Sequence, residues 1–319
     1  MGSRIFVTGA SGRVAMPLIR SLVSEGHQVT GLARSDEKAG TVRALGAECL
    51  VGDLSSTDVL TKGADGAERI YHLAGGVRGK GLETPDVINS QGTASLIAAI
   101  DRADTSHLDS VLFTSTCAIY GDRSNLWVPE DMTPTPNTRY GKSKLAAEEA
   151  LLSSGLPVRI VRLAAVYGPG FPFMMVERMQ AGKGWLPGEG RNYIPTIHID
   201  DAVEGIKCID RAGKAGEIYH LADQEPLLLK EFYAEVHKLS GGEPLKFWST
   251  WIPSYVQRGA ARYNERLQSR INRRPQFTPD NLKLYTNSVR MKVERLEKEL
   301  SFTWQYPNAA SGLAATLQG

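Results

Sequence analysis

Tyr140 and Lys144 stand four positions apart, a spacing that puts a phenol and an ammonium on one face of a helix. A phenol with an ordinary pKa of about 10 is a weak acid or base near neutrality, and a neighbouring positive charge that favours the phenolate lowers it. The pair is therefore expected to exchange a proton with a substrate oxygen. Taken alone, Tyr-x-x-x-Lys is equally well explained as two surface residues of a helix, so its surroundings must decide.

The first supporting pattern is Val7-Thr8-Gly9-Ala10-Ser11-Gly12-Arg13-Val14-Ala15, which follows the apolar run Ile5-Phe6-Val7 and opens a helical pattern over residues 13–25. Gly9 and Gly12 permit a sharp turn and a close approach of backbone to a pyrophosphate. The helix start at Ser11, Gly12, Arg13 and Val14 favours that negative charge. Ala15 stands where a third glycine is usual. A plain strand-to-helix turn is the bland alternative. The second strand ends in Leu32-Ala33-Arg34-Ser35 and lacks the carboxylate that bonds an adenosine ribose in NAD sites. Arg34, with Arg13 and Ser35, suits the additional phosphate of NADP, so NADP (as NADPH) is expected ahead of NAD. Otherwise Arg34 is a solvated loop residue.

Stepping outward, β-branched runs at 5–7, 28–32, 69–71, 110–113 and 158–161 alternate with helical patterns, the signature of βαβ units and a parallel sheet. An irregular stretch rich in Gly and Pro follows Tyr167-Gly168-Pro169-Gly170. The pattern resumes at Thr196-Ile197-His198-Ile199-Asp200-Asp201 and again at residues 217–221, before a mostly helical tail. The expected architecture is α/β, a Rossmann-type doubly wound sheet with a smaller helical substrate lobe. Residues 1–168 and 195–222 are assigned to the dinucleotide-binding domain, and residues 169–194 and 223–319 to the substrate lobe.

Thirty-seven basic and 35 acidic side chains leave a formal charge of +2, so no global field favours nucleic acid or an anionic membrane. No run approaches the about 18 apolar residues of a membrane span. Cys49, Cys117 and Cys208 lie far apart without CxxC or Cys/His spacing, which predicts neither a disulfide framework nor a metal site and fits a reducing cytoplasm. His198 with Asp200-Asp201 is sufficiently explained as a strand ending in acids at a helix start.

The glycine turn, Gly52-Asp53-Leu54, His72-Leu73-Ala74-Gly75, Asn89-Ser90-Gln91-Gly92-Thr93 and Tyr140-Gly141-Lys142-Ser143-Lys144 occur in that order. Together they resemble the extended short-chain dehydrogenases, also called the NAD-dependent epimerase/dehydratase family. The likeness runs over nearly the whole chain, and the tail from Phe277-Thr278-Pro279-Asp280 to Tyr306-Pro307 is similar to the family's C-terminal signature. It implies that Asp53 and Leu54 touch the adenine, that Leu73, Ala74, Gly75 and Asn89 line the nucleotide cleft, and that Lys144 also bonds the nicotinamide ribose. Matched on Tyr120-Gly121, the family's catalytic hydroxyl falls on Thr116, with Ser115 as the alternative; Thr114 and Ser115 then support the nucleotide or the strand end.

The resemblance also has gaps. The family's dehydratases carry Asp-Glu directly after the hydroxyl residue, where this chain has Cys117 and Ala118. Its sugar-nucleotide epimerases place an Asn three residues after the Arg of the strand leading to the Tyr-Gly-Pro turn, and here that position is Ala165. Their Arg stands about six residues before the Asp pair, whereas Arg191 stands nine before Asp200. These departures favour a reductase or dehydrogenase acting on a small carbonyl or alcohol with scope for hydrophobic character. An epimerase with tightly held NAD(P) is the second reading, and a non-catalytic dinucleotide sensor the third. Phe171, Phe173, Met174, Met175 and Trp185 are candidates for the pocket wall, with packing of the small lobe as an equal alternative. Arg258, Arg262, Arg266, Arg270 and Arg274 recur every fourth residue, as a solvated face or a dock for an anion. The helices over 87–100 and 142–152 are, by family likeness, the expected seam of a homodimer.

Overall fold

The computed structural model describes residues 2–77, 84–124, 126–171, 174–247, 254–270 and 278–318. Seven parallel strands form the central sheet: β1 (Arg4–Thr8), β2 (Gln28–Ala33), β3 (Glu48–Val51), β4 (Arg69–His72), β5 (Ser110–Thr116), β7 (Val158–Leu163) and β11 (Ile218–Leu221), in the order β11-β7-β5-β4-β1-β2-β3. Their apolar runs suit a sheet covered on both faces. In β1, Ile5 and Val7 face one core while Phe6 faces the other.

Helices α1 (Ala15–Ser24) and α7 (Ile199–Ala212) bury Leu18, Leu22 and Ile206 with Ile5, Val7 and Val161 in one core. On the opposite face, α3 (Thr57–Ala64), α4 (Gly92–Ile100) and α5 (Arg139–Leu152) bury Leu60, Leu96 and Leu151 with Phe6, Phe113 and Ile160. Each helix has a local cause. Gly26 ends α1 in the left-handed conformation (φ 86°). Ser35 caps α2 (Asp36–Arg43), and the Thr138 hydroxyl caps α5 by accepting from the Gly141 N–H at 3.0 Å.

The stretch after Gly168 leaves the sheet and returns as a short strand, β10 (Thr196–His198), parallel to β8 (Ala165–Tyr167). Two further short parallel pairs, β6 (Trp127–Val128) with β13 (Arg290–Met291) and β9 (Trp185–Leu186) with β12 (Lys246–Phe247), complete the strands among the described residues. A third core joins α6 (Val176–Gln180), α8 (Leu229–Ser240) and α12 (Ala309–Gln318) through Met179, Phe232, Val236 and Leu313. The tail, expected wholly in the substrate lobe, divides instead. Met291, Leu296 of α11 (Glu294–Leu300), Phe302 and Trp304 pack into the first core of the sheet, because that face of β11 needs a cover that α7 alone does not supply.

The strand order reverses between β1 and β4, where the crossovers diverge to opposite faces and open a crevice at the strands' carboxyl ends. One close approach supports this arrangement: a methyl group at Gly63 on α3 would strike the Phe6 ring. Gly63→Ala is therefore expected to lower the denaturant midpoint by the equivalent of about 1–3 kcal/mol with an unchanged slope, read by urea unfolding.

Candidate active site

Gly9 leaves β1 with φ 70°, and a Cβ there would lie 2.7 Å from the backbone N and Cα of Ala74. The two backbones that bound the crevice thus meet with no room for a side chain. The Gly12 N–H donates to the Gly9 carbonyl at 2.8 Å, and a Cβ on Gly12 would lie 2.9 Å from that same oxygen. Beyond it, α1 starts with no side-chain cap and no acid in its first turn. A tight bare turn before an uncapped helix is the cradle a pyrophosphate requires, and the residues present fit a dinucleotide. Ser11 and Val14 are half-buried in this turn, and Arg13 is exposed.

At the end of β2, Arg34 is exposed and beside the crevice's edge. Ser35 has a structural duty: its Oγ accepts from the Lys38 N–H at 3.4 Å as the cap of α2. Asp53 is exposed, and its Oδ1 accepts from the Ser55 N–H (2.8 Å) and hydroxyl (2.6 Å); these bonds hold its carboxyl below the usual range. Leu54 packs beneath it, close enough to Gly92 that a Cβ there would meet it.

Thr116 ends β5 and is buried; its Oγ1 accepts from the Ala118 N–H at 3.2 Å, starting the 3-10 turn Cys117–Tyr120. The same side chain acts on the Tyr140 phenol and favours its ionised form. The structure therefore brings Thr116, rather than Ser115, to Tyr140; the Ser115 Oγ is buried with no partner among the described residues. Thr114 donates to the His72 carbonyl at 3.4 Å, tying strand ends together. Lys144 is buried one turn along from Tyr140, with Nζ 3.9 Å from the centre of the Phe113 ring. A Cβ on Gly75 would lie 3.6 Å from that Nζ, so the glycine keeps open the approach to the ammonium.

The expected lowering of the phenol is not what these residues produce. Burial pushes Tyr140 up to about 12, and Thr116 only partly opposes it. Burial likewise pushes Lys144 down to about 7, with Glu148 opposing. Desolvation disfavours the charged form of both groups and here outweighs their proximity. Cys117 is pushed up to about 11 by burial, which keeps it an inert thiol.

Sequence reasoning missed the supports of this site. Buried His72 lies between Thr8 Oγ1 (2.7 Å to Nδ1) and Thr93 Oγ1 (2.9 Å to Nε2). Thr93 spends its proton on the Asn89 carbonyl at 2.6 Å, so the imidazole must donate from Nε2 and accept from Thr8 at Nδ1. The ring is accordingly neutral, pushed down to about 3 by burial and by Lys144. Asn89, expected to face the nucleotide, is committed inward. It sits in a widened π-turn before α4, its Oδ1 accepts from the Gly76 N–H (2.9 Å), and its Nδ2 donates to the Gly76 carbonyl (3.1 Å) and to Ser143 Oγ (2.9 Å). Asn89 is thus a brace between the loop after β4, which carries Leu73, Ala74 and Gly75, and helix α5. A polar residue before a Gly-Thr pair was the available signal.

Of the pocket-wall candidates, Met174 belongs to the third core and Met175 packs against it, whereas Phe171 is half-buried against the first core and Trp185 is exposed beneath Lys246; Phe173 lies outside the described residues. In the arginine series, Arg262 and Arg266 are exposed on α9 (Ser254–Arg270), Arg274 lies outside the described residues, as do the side chains of Arg258 and Arg270, and Phe277 of the tail signature does too. The intervening Glu265 pairs with Arg139, which directly precedes Tyr140 and also bonds Asp280. His198 caps α7 through Nδ1, and Asp201 accepts from the Gln305 and Tyr306 N–H groups, so both are engaged in local structure.

Comparison with known proteins bears on this geometry. The profile described as the NAD dependent epimerase/dehydratase family matches residues 5–222. A 4-hydroxy-2-methyl-3-oxo-4-farnesyl-3,4-dihydroquinoline-1-oxide ketoreductase of Stigmatella aurantiaca is 28% identical over 275 residues, covering 83% of this chain and 80% of that protein. A decarboxylating sterol-4-alpha-carboxylate 3-dehydrogenase of Dictyostelium discoideum is 25% identical over 250 residues, covering 74% and 76%. Among solved structures, the dTDP-glucose 4,6-dehydratase DesIV of Streptomyces venezuelae, with NAD and TYD bound, superposes with a TM-score of 0.77 at 23% identity over 99% of this chain and 96% of that one. No helix among the described residues is long and apolar enough to cross a membrane.

Gly9→Ala places a methyl group against Ala74 and a left-handed backbone on a residue that resists it. It is expected to weaken dinucleotide binding more than about tenfold, read by quenching of protein fluorescence.

Proposed function

Because the chain belongs to the NAD-dependent epimerase/dehydratase family and is an oxidoreductase of the extended short-chain type, we propose that it interconverts a ketone and a secondary alcohol with NADP(H) on a small substrate of partly apolar character. The observation that carries this reading is buried Thr116 at the carboxyl end of β5, whose side chain acts on the Tyr140 phenol, with buried Lys144 one turn further along α5. The two relatives named for a ketoreductase and a sterol dehydrogenase support it. So do Cys117 and Ala118, which cannot serve as the acid and base of a dehydration.

Gly9, Gly12, Ser11, Arg13 and Val14 would hold the pyrophosphate, Asp53 and Leu54 the adenine, and Leu73 to Gly75 the inner wall of the nucleotide cleft. Bound there, the nicotinamide supplies or accepts the hydride. Thr116 donates a hydrogen bond to the substrate oxygen as negative charge grows on it. Tyr140 holds the transferable proton on its phenol, which at about 12 is fully protonated at neutral pH and delivers it to that oxygen in the reducing direction. Lys144, as the ammonium, favours the phenolate that remains. Arg34 supports preference for the phosphorylated dinucleotide, and the Ser35 hydroxyl, which accepts from Lys38, keeps its proton for a phosphate oxygen.

Three outcomes test the reading. Tyr140→Phe is expected to lower kcat for NADPH-dependent carbonyl reduction by about 100-fold or more, and unchanged turnover would refute the proton-donor assignment. Arg34→Asp is expected to raise the Kd for NADPH by about 10- to 100-fold while leaving NADH nearly unaffected; equal affinity of the native chain for both would remove the NADP preference. Lys144 is charged below about 7 and loses its proton above, so kcat/KM for reduction is expected to fall as pH rises through that value, in initial-rate profiles.

A further inference from the structure

Helix α9 turns its large apolar side chains outward. Val256, Tyr263 and Leu267 are 44%, 70% and 43% exposed, and Ala260 is exposed between them. At 3.6 residues per turn these four positions fall within an arc of about 60°. The far side of the helix faces the protein: Ala261 is wholly buried, and Glu265 pairs with Arg139 at the start of α5. Ala261 is the one buried residue of α9 among those described. Single exposed apolar side chains are ordinary, but three large ones aligned on the solvent face of one helix form a continuous patch that calls for a cover.

Charge follows the same line. Arg262 and Arg266, both exposed, run along one flank of the apolar stripe, and Arg258 and Arg270 continue their four-residue series in the sequence. Against these four arginines α9 holds a single acid, Glu265, which is turned to Arg139. The cationic character is local, since the whole chain carries a formal charge of only +2.

We propose that the outer face of α9 is a docking surface for an anionic lipid bilayer. The helix lies flat on it, with Val256, Tyr263 and Leu267 in the acyl boundary and Arg262 and Arg266 on lipid phosphates. Charge complementarity selects this occupant. Arginine stems lie along an apolar layer while their guanidinium heads fork onto phosphate oxygens. A soluble anion would satisfy the arginines and leave the apolar stripe in water. A second copy of the chain, paired symmetrically through this face, would set one arginine series beside another. The inner face of α9 touches Arg139, directly before Tyr140, so docking brings the bilayer to the side of the molecule where α5 begins. Delivery of a partly apolar substrate from the bilayer rests on the reductase reading; the docking itself does not.

Co-sedimentation of the full chain with vesicles tests the docking without cofactor or turnover. Vesicles of phosphatidylcholine and phosphatidylglycerol in equal amounts are expected to retain the chain at least about tenfold better than phosphatidylcholine alone, and to slow hydrogen exchange in peptides spanning 256–267. Tyr263→Gln with Leu267→Gln, and separately Arg262→Gln with Arg266→Gln, are each expected to lower retention on the mixed vesicles about tenfold. All four side chains are exposed, so the fold does not depend on them; Leu126→Gln, at an exposed apolar residue off α9, is expected to bind as the native chain does. No retention, retention that neither α9 variant lowers, or an equal loss in Leu126→Gln would overturn the proposal. A native dimer that Tyr263→Gln with Leu267→Gln disperses in light scattering, without vesicle retention, would overturn it in favour of a second copy. Capture by polyglutamate without vesicle retention would overturn it in favour of an acidic protein. Vesicle retention that the α9 variants abolish, in a chain that reduces no carbonyl, would uphold the docking and remove the reductase reading.

Discussion

A neutral imidazole holds the two halves of this site together. His72 accepts a hydrogen bond from Thr8, at the end of the strand that feeds the glycine turn, and donates one to Thr93, at the start of α4. The chain of donors continues from Thr93 to the Asn89 carbonyl, and from the Asn89 amide to Ser143 and on to the Tyr140 carbonyl. Each link is buried or nearly so, where a polar group left unpaired would cost about 1–3 kcal/mol. The glycine turn and the helix bearing Tyr140 consequently share one register. Were the imidazole protonated, Nδ1 would cease to accept and the Thr8 link would break; its burial, which pushes it down to about 3, protects that direction.

The chemistry of the site is built against its own desolvation. Both Tyr140 and Lys144 are moved toward their uncharged forms, the opposite of what a catalytic phenolate and ammonium need. Fixed groups offset only part of the cost of enclosure: Thr116 on the phenol, the Phe113 ring and Glu148 on the ammonium. Enclosure also gives these interactions weight, since hydrogen bonds and charges act more strongly where water is kept out. The arrangement favours a protonated phenol over a standing phenolate, which suits delivery of a proton to a carbonyl oxygen.

The second lobe contributes differently. Its core is separate, yet segment 278–291 returns to the sheet and bonds the elements around the start of α5. Asp280 accepts from the backbone and side chain of Arg139, Lys283 donates to the Asn137 carbonyl, and the amides of Asn137 and Asn287 bond each other. The tail therefore steadies the start of α5, where Tyr140 lies.

Much of the fold was legible in the sequence for a local reason. Parallel strands covered on both faces must be continuous apolar runs, so β1, β2, β4, β5 and β7 stood out, and glycine at positions 9 and 12 marked a turn that tolerates little else. The four-residue step between Tyr140 and Lys144 follows from helix geometry alone. What the sequence could not state was where side chains would spend their hydrogen bonds. Thr8, His72, Thr93 and Asn89 are ordinary residues until strands 64 positions apart in sequence are laid side by side, and Arg162 meets Glu148 and Tyr120 only after β7 inserts beside β5. The charge states of Tyr140 and Lys144 were likewise decided by the tertiary structure, because desolvation depends on what surrounds a group in space rather than on its neighbours along the chain.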